Sequence, residues 1–180
     1  MSLTTPQRNV IKGMATGLLT AIAAFGLTAW LQPFGALDDN LPARVRMAML
    51  SALAPALMLA VCIARLAAHR FRTPQDLDGS GLTVGTERAK ILQALLQNTL
   101  EQTVLAVPVY AAFSLFAPAR LLAVAPLAAL LFVGGRLLFF RGYQRGAGGR
   151  ALGFALTFYP TLLLLAGAVG LVIAGGRITS

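Results

Sequence analysis

The chain has 180 residues, 57% of them hydrophobic and 12% charged, with a mean hydropathy of +0.75 and a formal charge of +9. A soluble globular chain carries about 25% charged residues, so a water-exposed surface cannot be built from this composition. One cysteine, Cys62, and one histidine, His69, exclude an intrachain disulfide and any multi-cysteine or multi-histidine metal centre.

The apolar runs predict five membrane-spanning helices, since one span needs about 20 mainly apolar residues. The first, Gly13 to Leu31, is uncharged. It is longer than the roughly 7–15 apolar residues of a signal peptide, and no small-residue cleavage site follows, so a retained helix is expected. The second runs from Met47 to Ala64, with Cys62 read as packing. The third, Ile91 to Ala119, holds a single acid, Glu101. The fourth, Leu121 to Phe140, is interrupted by Arg136 and weakened by Pro126 and the Gly134-Gly135 pair. The fifth, Ala151 to Gly176, carries no charge.

With five spans, eleven of the fifteen Lys and Arg lie on the side of the N-terminus and of the second and fourth connections, and four on the other. The positive-inside rule then places the N-terminus in the cytoplasm, and a bacterial inner membrane suits the basic loops. The charge is thus read as topology with membrane lipids as partners, and nucleic acid is not expected. The polar stretch Thr73 to Glu87 reads as a surface loop. Its Asp76, Asp78 and Ser80 have the spacing of a calcium loop, but Arg88 stands twelve residues after Asp76 where an acid is sought, so no metal site is expected there. His69, beside Arg70, is expected to be solvated.

Glu101 is the most informative residue, because an acid inside a span costs about 2.5–3.5 kcal/mol. Gln93, Gln97, Asn98, Glu101 and Gln102 occupy roughly half of the helix circumference. They offer a polar face for a partner, a cavity or a ligand. On the fourth helix, Arg136, Phe140 and Tyr143 share one face. Gly146 to Gly149 are expected to break the helix, and Arg150 to open the next one, where unpaired backbone N–H groups favour an anion. Arg141 and Arg145 read as cytoplasmic flanks. An acid, an amide, a phenol and several guanidiniums near one membrane face suit a small zwitterionic or anionic ligand.

These two segments resemble the membrane-associated proteins in eicosanoid and glutathione metabolism, the MAPEG family, which includes microsomal glutathione transferases. Asn98-Thr-Leu-Glu101 is similar to the family's N-x-x-E. Arg136-x-x-Phe139-x-x-Gly-Tyr143, with Arg150 seven residues on, is similar to its R-x-x-Y-x-x-G-Y followed by an arginine. The resemblance implies an all-α integral membrane fold: an extra N-terminal transmembrane helix and connection over 1–46, then a MAPEG-like four-helix domain over 47–180. It implies a homotrimer that binds glutathione as co-substrate and passes it to a lipophilic small-molecule electrophile, or reduces a peroxide with it. Asn98, Glu101, Arg136 and Tyr143 would hold glutathione, and Arg150 would assist its thiolate. Ala94 stands where many active members have an arginine, and Arg88 or Lys90 would have to replace it. Phe139 replaces the motif's first tyrosine. These departures leave a second reading, a non-catalytic scaffold or lipid-binding member.

Overall fold

Among the described residues the chain forms five long helices: α1 (Thr5–Leu31), α2 (Leu41–Arg72), α3 (Glu87–Phe116), α4 (Val124–Gly142) and α5 (Gly146–Ile173). The computed structural model describes residues 3–31, 38–79 and 81–175, and no strand occurs among them. The expected end of the fifth span at Gly176 lies outside the described residues.

Among the described residues four continuous stretches are long and apolar enough to cross a membrane: α1, α2, α3 and the 55 residues Ala119–Ile173. Straight, the last would run roughly 80 Å, more than twice the core of a bilayer. It reverses instead through a turn at Tyr143–Arg145, and Gly146 takes φ +79. α4 and α5 therefore form an antiparallel hairpin.

The hairpin corrects the expected break. Gly146 alone makes the turn, and α5 begins there, so Arg150 lies in its second turn rather than at its opening. The following glycines serve contact. A Cβ on Gly149 would meet the carbonyl of Gly142, 2.9 Å away, and one on Gly148 would lie 2.8 Å from the Asn9 Cβ of α1. Gly135 is used in the same way, 2.9 Å from the Gly153 carbonyl. Pro126 sits in the first turn of α4, where its missing N–H costs nothing.

α2 and α3 are antiparallel. The Cys62 thiol donates to Thr99 Oγ1 at 3.5 Å, and Thr103 Oγ1 donates to the Pro55 carbonyl at 3.3 Å. The core lies between α3, α4 and α5, around Tyr110, Phe113, Phe132 and Leu164. The Tyr110 hydroxyl, fully buried, meets Thr161 Oγ1 at 3.2 Å. α1 runs parallel to α5. Gly13 and Gly17, four residues apart, face Ala151 and Ala155, with no room for a Cβ on either glycine. Small residues at this spacing let two helices in lipid approach closely.

Both loop ends are fastened. Arg44, counted above among the few charges of the less basic side, is buried and donates to the carbonyls of Ser114, Leu115 and Ala117 at 3.1, 3.1 and 2.7 Å. It pairs with Asp39 as well. It thus satisfies the open carbonyls at the end of α3. On the basic side, α2 extends past its apolar run to Arg72 and carries His69 inward. His69 Nε2 lies 2.9 Å from Asp76 Oδ2, so this histidine is engaged rather than simply solvated. Asp76 is 1% exposed and accepts from the Thr86 backbone N–H at 2.7 Å and from Thr86 Oγ1 at 2.6 Å. The Thr86 hydroxyl in turn caps α3 by accepting from the Ala89 N–H.

Glu87 does stand at the twelfth position counted from Asp76, as a calcium loop requires. It bonds Lys90 instead, at 2.8 Å. Among the described residues no three His, Cys, Asp or Glu side chains converge to hold a cation.

Candidate functional site

α1 and α3 face each other across a cavity of about 360 Å³, floored by the end of α4 and the start of α5. Asn98 of α3, Tyr143 at the α4–α5 turn and Arg150 of α5 all line it. The Arg150 guanidinium lies over the Tyr143 ring, 4.7 Å from its centroid. The Tyr143 ring in turn meets Phe139 edge-on at 5.6 Å. Ala94, Phe139, Ala151 and Phe154 complete an apolar wall. The only charged lining residue is thus a guanidinium that lies over an aromatic ring.

Arg136 sits beneath this floor rather than in it. It is fully buried, roughly 9 Å along α4 from Gly142 at about 1.5 Å per residue. Its guanidinium donates to Asn98 Oδ1 at 2.8 Å and to Thr157 Oγ1 at 2.8 Å, and stacks 4.5 Å from the Phe139 centroid. Its Nε has no protein partner. A charge held by two neutral oxygens and an aromatic face is costly in a membrane. What it gains is orientation: with Oδ1 accepting from Arg136, the Asn98 NH₂ group is left to donate. Thr157 went unnoticed in the sequence because a threonine in an apolar run has no distinctive signal.

Glu101 does not line the cavity. It is exposed on α3 and accepts from Gln97 Nε2 at 2.9 Å. The polar half of α3 is therefore divided. Asn98 faces the cavity, Gln97 and Glu101 face outward, and Gln102 is buried with its Oε1 unpaired. Gln93 accepts from Arg70 at 3.1 Å.

Asn98, Arg136 and Arg150 are thus joined or adjacent across three helices, with Tyr143 between. The MAPEG family model matches residues 45–170, which span α2 to α5 and include all five predicted site residues. The chain belongs to the MAPEG family. Within that family it is an integral membrane protein, and α1 lies outside the matched region. Among curated proteins no match is found.

The match leaves two cavity residues unaccounted for. Val10 and Met14, both from α1, form the wall opposite Asn98. The sequence assigned α1 no role. The signal was the four-residue spacing of Gly13 and Gly17, which predicts close helix contact.

Proposed function

We propose that this MAPEG protein binds glutathione in the cavity and uses its thiolate on lipophilic electrophiles, by transfer or by peroxide reduction. The observation that carries the reading is the convergence of the Asn98 amide, the Tyr143 phenol and the Arg150 guanidinium on one cavity. Its volume is in the range of small-ligand sites. Asn98, fixed by Arg136, offers N–H donors to a carboxylate. Arg150 supplies the positive charge. A free thiol ionises near pH 8.5, and a guanidinium beside it lowers that value, raising the thiolate fraction at neutral pH. In transfer the thiolate attacks the electrophilic carbon, and the leaving group or the adduct takes up the proton. In peroxide reduction it attacks a peroxide oxygen, and the alcohol leaves with the proton. A second glutathione then converts the sulfenic acid to the disulfide with release of water.

Glu101 supports a homotrimer as part of the same reading. An acid on an exposed helix face beside Leu100 and Val104, with only Gln97 as its partner, is costly against lipid. A neighbouring protomer that covers this face would remove that cost and bring Glu101 towards the neighbour's edge of a site. The basic side, with the α2–α3 loop and the α4–α5 turn, is the cytoplasmic side in this proposal.

Isothermal titration of the reconstituted chain with glutathione tests the reading. Saturable binding with Kd below about 1 mM is expected, weakened about tenfold in Asn98→Ala. The absence of any binding heat at several millimolar would defeat it. The non-catalytic reading is favoured by Ala94, which brings only a methyl group to the cavity. Its signature is glutathione binding, or lipid binding alone, with no thiolate formed.

A further inference from the structure

We infer that α1 supplies the specificity wall for the lipophilic co-substrate, through Val10 and Met14. The inference rests on the glutathione reading for the identity of the polar ligand, and on geometry for the wall. α1 packs along α5, so Val10 and Met14 stand across the cavity from Ala94 and Asn98. The polar groups lie on α3, the turn and α5. The α1 side is entirely apolar. A ligand with its anionic end on Arg150 therefore presents its other end to Val10 and Met14.

A second depression, an open surface groove of about 370 Å³ with exposed walls, adjoins the cavity. It is lined by Leu3, Pro6, Gln7 and Ile11, and shares Val10 and Ala147 with the first. The two side chains common to both are small. Val10 is thus a partition between the polar-ended cavity and an open groove along the first turns of α1, apolar but for Gln7. An unbranched apolar chain that passes Val10 would lie in that groove. The matched transferable substrate is an amphiphile: an alkyl or acyl chain joined to the electrophilic carbon near Arg150.

The test uses the full chain in lipid nanodiscs, with empty discs as the blank. The probes are S-methyl-, S-hexyl- and S-decylglutathione, together with decyl sulfonate, an anion without the peptide. Burial of each methylene strengthens binding by up to about fourfold, so affinity should climb with chain length. Val10→Trp should flatten that climb, costing S-decylglutathione at least about tenfold more affinity than S-methylglutathione. Val10→Ala, which opens the partition without adding bulk, should favour the longer chain. Chain-length dependence unaltered in both variants, or an equal loss for S-methyl and S-decyl probes, would overturn the wall. Failure of every glutathione derivative, with decyl sulfonate still bound and weakened by Val10→Trp, would overturn the glutathione reading and leave the wall standing.

Discussion

At the scale of single residues, the arginines show how differently one side chain is used. In the sequence Arg44 and Arg46 look alike, two cations after the first span. In the structure Arg44 is buried and holds three carbonyls at the end of α3, whereas Arg46 is exposed. Arg44→Met should lower stability by about 2–3 kcal/mol, because buried acceptors are left unpaired. Arg46→Met should change it by less than about 0.5 kcal/mol. Denaturant titration of the detergent-solubilised protein compares the two. Asp76 gives a pH prediction. The Thr86 hydroxyl, then the Thr86 backbone N–H, hold its carboxyl below the usual carboxylate range, and His69 adds to this against the opposing effect of burial. An acid with a lowered value in the folded state stabilises fully above its unfolded value of about 3.9, and that contribution is lost as pH falls through the lower folded value. Amide exchange at Thr86 should therefore stay slow at neutral pH and accelerate, beyond its intrinsic pH dependence, only well below pH 4. Asp76→Asn should show the faster exchange at neutral pH. Equal protection in both proteins would remove Asp76 from the loop's stability.

At the scale of elements, the helices were legible because lipid imposes length and apolarity, and both can be counted. Their ends were less so. The helices run past the apolar runs, since α2 continues to Arg72 and α5 starts at Gly146. The glycines were misread for a physical reason: the same residue permits a turn or a close approach, and only a neighbour distinguishes them. Gly146 makes the turn; Gly148 and Gly149 make contacts. The polar half of α3 had the right residues, but its division between cavity, core and outer face depends on how α2 and α4 flank it. The glycine seams predict a contrast. Gly17→Leu drives a side chain into Ala155 and should separate α1 from α5 while the other four helices stay packed. Gly153→Leu drives one into the Phe139 backbone and should cost about 3 kcal/mol or more of the whole fold, as overpacking does. Cysteine cross-linking of α1 to α5, alongside thermal unfolding, separates these outcomes. Loss of global stability in Gly17→Leu equal to that in Gly153→Leu would show that α1 is integral to the bundle.

At the scale of the molecule, the chain combines four helices of the MAPEG family with one more that walls their cavity. In the proposed homotrimer a neighbour covers the exposed Glu101: chemical cross-linking in lipid should yield trimers, and a chain that stays monomeric would contradict that proposal. In the proposed function the cavity is where Arg150 meets the thiol of glutathione. Glutathione added to the reconstituted protein at neutral pH should raise the ultraviolet absorbance of a thiolate, saturably. Arg150→Ala should abolish most of that signal while binding heat persists. Binding without thiolate, or a thiolate signal unchanged in Arg150→Ala, would contradict it.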